Sequence, residues 1–91
     1  MNIVDYIPIG SKNAITRARL CELTGMPDME VRERIAIACY ENIIINLQDG
    51  NGYFIPDETE RFLIERYYRQ ELSRLKANAK KVKMLREVLK Q

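Results

Sequence analysis

No glycine and no proline occurs in residues 57–91. These are the residues that most readily end or break a helix, so the stretch is free to run as one helix about 50 Å long. It opens on Asp57-Glu58-Thr59-Glu60, in which Asp57 and Glu60 have the spacing of a capping box, with Asp in the Ser/Thr role. Residues 1–56 make, by the size rule, a body with a radius of gyration of about 10 Å. A body that small does not cover a helix of that length. The far half must meet another chain, fold back or fray. The expected organisation is therefore a domain over 1–56 and a long C-terminal helix over 57–91.

The apolar pattern of the long helix favours another chain. Ile64, Tyr68, Leu72, Leu75, Ala79, Val82 and Leu89 follow steps of four and three that alternate from Tyr68 on, with Arg86 in the missing place. That is close to a heptad seam. The expectation is a coiled-coil homodimer whose seam is Tyr68, Leu72, Leu75, Ala79, Val82 and Leu89. Phe62, Leu63 and Tyr67 point elsewhere, so the start of the helix is apolar on two sides. After Ser73 come Arg74, Lys76, Lys80, Lys81, Lys83, Arg86 and Lys90 against the single acid Glu87. A solvated face is the plain reading of such a run. Like charges this dense also weaken a bare helix pair, and a polyanion would relieve them. Lys80, Lys81 and Lys83 are thus candidate nucleic-acid contacts. The tyrosines do not interleave with this stripe, so base stacking along it is not expected.

Composition narrows the chemistry. The chain of 91 residues has no His and no Trp, which removes the commonest general base and a common metal ligand. Cys21 and Cys39 have no Cys-x-x-Cys spacing, so a zinc site is not expected. Both read as reduced core residues. Asp49-Gly50-Asn51-Gly52 lacks the spaced acids and closing Glu of a calcium loop and reads as a turn. No enzyme activity, cofactor or metal is expected. No apolar run approaches the roughly 20 residues that span a bilayer. The start MNIVDYIPIG lacks the basic and apolar stretches of a targeting segment. The expected setting is the cytoplasm, without membrane contact.

The first part reads as short elements. NIVDYI makes a short helix stopped by Pro8 and Gly10. Ala14-Ile15 is short enough to add only one rung to a later sheet. Thr16 caps RARLCELT, in which Leu20 and Leu23 face inward with Ala and Cys, and Gly25 ends it. Asp28 is the N-cap of a second helix with Val31, Ile35, Ala38 and Cys39 on its buried face, fading at Glu41-Asn42. IIINL at 43–47 suits a strand. Asp49-Gly50 or Gly50-Asn51 supplies a tight turn, and Tyr53-Phe54-Ile55 returns to Pro56. One side of this hairpin, Ile43, Ile45, Phe54 or their neighbours, packs on the helices.

The stretch ITRARLCELTGMPDMEVRERI, with Leu20, Cys21, Leu23, Gly25, Met26, Val31 and Ile35 at its apolar and turn places, resembles a helix-turn-helix. IIINLQDGNGYFIP resembles its wing. With the lead GSKNAIT and the wing end Gly52-Tyr53-Phe54 before Pro56, residues 10–56 resemble small winged helix-turn-helix proteins of bacterial phages and prophages. The fold class expected is mainly α with a small β-hairpin, a winged helix-turn-helix followed by a long C-terminal helix. The resemblance implies double-stranded DNA as partner, regulatory or replication and recombination roles, and a second helix that enters the major groove.

The outward residues of that helix test the implication. With Val31, Ile35 and Ala38 inward, a 100° wheel puts Met29, Glu30, Glu33, Ala36, Ile37 and Tyr40 outward. Two carboxylates among apolar groups suit a polyanion poorly. Arg32 and Arg34 lie on the flanks, and Arg17 and Arg19 lie early in the preceding helix. These four are the candidate DNA contacts of the body. The alternative is a protein-interaction module, an adaptor or inhibitor of a host or phage machine, that uses Met29, Glu30, Glu33, Ile37 and Tyr40. The plainer reading is that the first or last helix covers Ile37 and Tyr40. Charge divides in the same sense. Residues 1–56 carry five Lys/Arg against seven Asp/Glu, and residues 57–91 carry ten against six.

Overall fold

A computed structural model describes residues 2–91. They form a mainly helical domain with a two-stranded antiparallel hairpin. The first turn, Ile3–Tyr6, is a 3-10 helix rather than an α-helix, started by Asn2, whose side chain accepts from the Val4 amide. Pro8 leaves it no room to grow. Helix α1, Arg17–Thr24, is capped as expected: the Thr16 hydroxyl accepts from the Arg19 amide, and Gly25 closes it in the left-handed region at φ 73°. Helix α2 is Asp28–Ala38. Its N-cap is Pro27 and not Asp28, which is already the first helical residue. The carboxylate of Asp28 is drawn sideways to Arg17, 2.6 Å away. Its charge, like that of Glu30, still suits the first turn of the helix dipole.

The strands are β1, Ile45–Asn46, and β2, Tyr53–Phe54, with Ile45 opposite Phe54 and Asn46 opposite Tyr53. The expected rung is present: Ile15 and Tyr53 exchange both backbone hydrogen bonds, at 2.9 and 2.8 Å. A second, parallel bridge between Ile9 and Ile55 was not legible in the sequence. The connection is wider than a two-residue turn. Residues 47–52 form it, with Gln48, Gly50 and Gly52 all at positive φ. Gly52 has a second reason to be glycine. A Cβ there would stand 2.0 Å from the Ile15 carbonyl oxygen, so the rung needs the bare backbone.

The apolar side chains gather in two clusters. Ile3, Ile7, Leu20, Val31, Ile35 and Ile44 form one, between the first turn and the helix pair. Ile45, Phe54 and Leu63 form the other, between the hairpin and the last helix. Adjacent Ile44 and Ile45 face different clusters because β1 begins only at Ile45. This corrects three inward assignments. Ile43 is exposed because the chain has not yet entered the strand. Leu23 is exposed because α1 ends one residue later. Cys39 is exposed because α2 stops at Ala38, leaving the thiol outside the core.

Helix α3 is Arg61–Leu89, 29 residues, or about 43 Å. It starts four residues later than expected, since only half of the capping box forms. Glu60 accepts from the Asp57 amide, but Asp57 turns to the amide and hydroxyl of Thr59. The buried Glu60 carboxylate also takes the amide and hydroxyl of Ser11, pinning the start of α3 to the 3-10 turn Ser11–Asn13. Gln70 adds a bond to the Asn46 carbonyl oxygen at 3.1 Å. Past Leu72 every residue is exposed. Among the described residues, no helix is long and apolar enough to cross a membrane.

Candidate nucleic-acid interface

Arg17 is the side chain on which three elements converge. It begins α1, its Nε donates to Asp28 Oδ1 at the first position of α2, and it stands against Tyr53 of β2. Asp28 first, and the Tyr53 hydroxyl second, raise its guanidinium further above the ordinary arginine value. A shallow cleft of about 310 Å³ opens beside it, lined by Thr16, Asn46, Gln48, Gly50 and Gly52. Hydroxyl, amide and backbone donors therefore flank one cation where the helix pair meets the hairpin loop. Such donors suit phosphate oxygens.

The other candidate cations of the body are divided. Arg19 is bonded to Glu22 at 2.8 Å and Arg34 to Glu30 at 3.0 Å. Arg32 makes no ion pair among the described residues and is exposed. Pairs this open to water are worth about 0–1 kcal/mol. A phosphate, which can take two guanidinium donors at once, competes with them readily.

The outer face of α2 is uncovered. Met29 is 79% exposed, Ile37 63% and Tyr40 88%. Neither the first turn nor α3 shields Ile37 or Tyr40, which overturns the reading of them as covered core. Glu33 is exposed, and Glu30 is half-buried in its pair with Arg34.

The tail residues stay apart from this surface. Lys80, Lys81 and Lys83 lie on the exposed length of α3, with Lys80 about 12 Å along the axis from Leu72. Of the seam, Leu72 is half-buried, while Tyr68, Leu75, Ala79, Val82 and Leu89 are exposed in the single chain. Leu85, Met84 and Val88 are exposed as well, and Leu85 keeps the heptad spacing. It stands three residues after Val82 and four before Leu89, the signal that assigning the place to Arg86 passes over.

A groove of about 380 Å³ lies between the end of α2 and the start of α3, lined by Cys39, Ile43, Ile44, Ile64, Tyr67 and Tyr68, with Asn42 and Glu71 at its edge. Burial, and then the charge of Glu71, push the Tyr67 hydroxyl up to about 12. The groove combines residues far apart in sequence, and Ile43 and Glu71 carried no sign of it.

No protein-family model, curated protein or solved structure matches this chain.

Proposed function

We propose that this chain is a small winged helix-turn-helix protein that binds double-stranded DNA as a homodimer, similar to those of bacterial phages and prophages, in a regulatory or replication and recombination role. The observation that carries the reading is the junction at Arg17. Two short helices separated by a left-handed glycine meet a hairpin there, and the hairpin's return strand takes its extra rung from Ile15, just before the N-cap of the first helix. In a winged helix-turn-helix this arrangement presents the second helix and the wing on one side. Arg17, Arg19, Arg32 and Arg34 act on phosphates or base edges. Lys80, Lys81 and Lys83 add contacts that do not depend on sequence. The dimer forms through α3, where the seam needs a partner chain.

Retention on mixed-sequence duplex DNA across a salt series tests this, beside the variant Arg32→Glu/Arg34→Glu. The wild type is expected to bind at low salt and release steeply as salt rises, with a slope of about 0.9 per phosphate contact. The variant should bind weakly throughout. A wild type that ignores DNA at low salt overturns the reading.

A second reading has its own observation, the exposure of Met29, Ile37 and Tyr40 on the face of α2 that carries Glu30 and Glu33. Apolar side chains ringed by acids suit a protein partner, such as a host or phage machine, better than a groove of phosphates. Met29→Ala, Ile37→Ala and Tyr40→Ala should then each lose a captured partner while melting like the wild type. Three variants that retain every partner exclude it.

A further inference from the structure

The orientation of the helix pair follows from the groove and the charges. Tyr68, Leu75, Val82 and Leu89 stand seven residues apart, and on the groove's side the other heptad core place is filled by Ile64, Glu71, Asn78 and Leu85 in place of Leu72, Ala79 and Arg86. At 100° per residue, both sets share the side of α3 on which Ile64, Tyr68 and Glu71 line the groove. The strip thus runs from Ile43 on the body to Leu89 at the far end, apolar except at Glu71 and Asn78.

We propose that the occupant of this groove is the distal half of α3 from a second copy, lying antiparallel. In antiparallel pairs the two core places face each other. Leu85 of the second copy then sits on Tyr68, and Leu89 of the second copy sits on Ile64. Val82 of the second copy packs beside Glu71. Two-fold symmetry repeats each contact. The proposal rests on the dimer reading and adds its direction and its footprint on the body.

Three features favour this direction over the parallel one. A parallel pair brings like positions together, so Glu71 would meet Glu71 in the core and Lys81 would meet Arg86 at the flank. It would also lay two stretches, each with seven cations and one acid over 74–91, against each other. The antiparallel pair instead brings Glu65 to Arg86 and sets Glu71 among Lys81 and Lys83 of the second copy, leaving Arg74 with Lys81 as its like pair. Lastly, only the antiparallel helix reaches the groove wall at Ile43. A parallel partner runs away from the body and leaves that wall in water.

The test uses the full chain. Sedimentation gives the mass of the unlabelled wild type. A spin label is then placed at Lys90→Cys with Cys21→Ser and Cys39→Ser. In the antiparallel pair the two labels stand about 40 Å apart, by 1.5 Å per residue from the centre of the overlap. In the parallel pair they lie within about 20 Å, a helix pair's separation plus label arms. The companion variant Ile43→Asp, at a position already exposed, should raise the dimer dissociation constant at least about ten-fold while melting like the wild type. A separation near 40 Å with that loss supports the proposal. A separation near or below 20 Å, or an unchanged Ile43→Asp dimer, overturns the antiparallel docking and leaves the dimer standing. A wild-type monomer at high concentration overturns both.

Discussion

Two glycines of one loop separate backbone freedom from space. Gly50 and Gly52 both have positive φ, which a side chain disfavours by about 1–3 kcal/mol. Gly50 has nothing within 4 Å of an added Cβ, whereas Gly52 has the Ile15 carbonyl at 2.0 Å. Gly50→Ala is therefore predicted to cost about 1 kcal/mol, and Gly52→Ala clearly more, because the Ile15 rung must part as well. Urea titration of both variants measures the difference, and equal costs would show that the rung is dispensable. Glu60 carries a prediction in pH. Hydrogen bonds from the Ser11 hydroxyl first, and from the Asp57 amide next, hold its carboxyl below the ordinary 4.5. A carboxyl lowered in the folded state contributes stability that is full above its unfolded value and is lost as pH falls through its folded one. Glu60→Gln should be less stable at pH 7, and its stability should fall less steeply below about pH 4.5. Asp57 is lowered too, through Thr59, so some acid slope should survive. Denaturation midpoints at pH 7 and pH 3 decide the matter, and an unchanged slope in the variant would remove Glu60 from the acid response.

The elements divide into those with local causes and those without. Thr16, Gly25 and the inward pair Val31 and Ile35 announce α1 and α2, because caps and helical periods are written over a few neighbours. The hairpin's existence is legible for the same reason, from β-branched and glycine-rich runs. Its loop width, the Ile9–Ile55 bridge and the splitting of Ile44 and Ile45 between two clusters depend on distant chain and leave no local mark. Of the site, Arg32, Arg34 and the outer face of α2 could be named from the wheel, and Arg17 and Arg19 from their place at the start of α1. The pairing of Arg17 with Asp28, and the groove behind Ile43, appear only when separate elements meet. Helix α3 spans both cases, anchored by Leu63 and Gln70 at one end and exposed past Leu72. An exposed helix without a partner frays, since propensity alone rarely sustains one. Amides of residues 76–89 should therefore exchange fast in dilute protein and slow down as concentration rises, while those of α1 and α2 stay constant. Concentration-independent exchange over 76–89 would mean that the distal helix stands without a partner.

At the scale of the molecule, shape and charge are displaced together. The Cα radius of gyration is 15.9 Å, against about 12 Å for a compact chain of this length, because α3 projects beyond the body. The body carries the acids of α2's outer face, and the projection carries Lys80, Lys81 and Lys83. A polyanion approaching such a molecule is drawn first to the projection, where cations far outnumber the single acid Glu87 and the field is positive. On the proposed DNA reading the body's arginines engage later, with Arg17, Arg19 and Arg34 giving up Asp28, Glu22 and Glu30. The salt dependence of DNA binding should divide accordingly. Lys80→Gln/Lys81→Gln/Lys83→Gln is predicted to lower the slope of log K against log salt by about 2–3 per chain, at about 0.9 for each phosphate no longer neutralised. It should leave any preference among DNA sequences unchanged, since phosphate contacts carry no base information. Fluorescence anisotropy between about 50 and 200 mM salt, with two unrelated duplexes, measures both quantities. A slope that does not move would make the tail a solvated face and return the whole electrostatic burden to Arg17, Arg19, Arg32 and Arg34. A changed sequence preference would mean that the projection bends back to hold the body in register on the duplex.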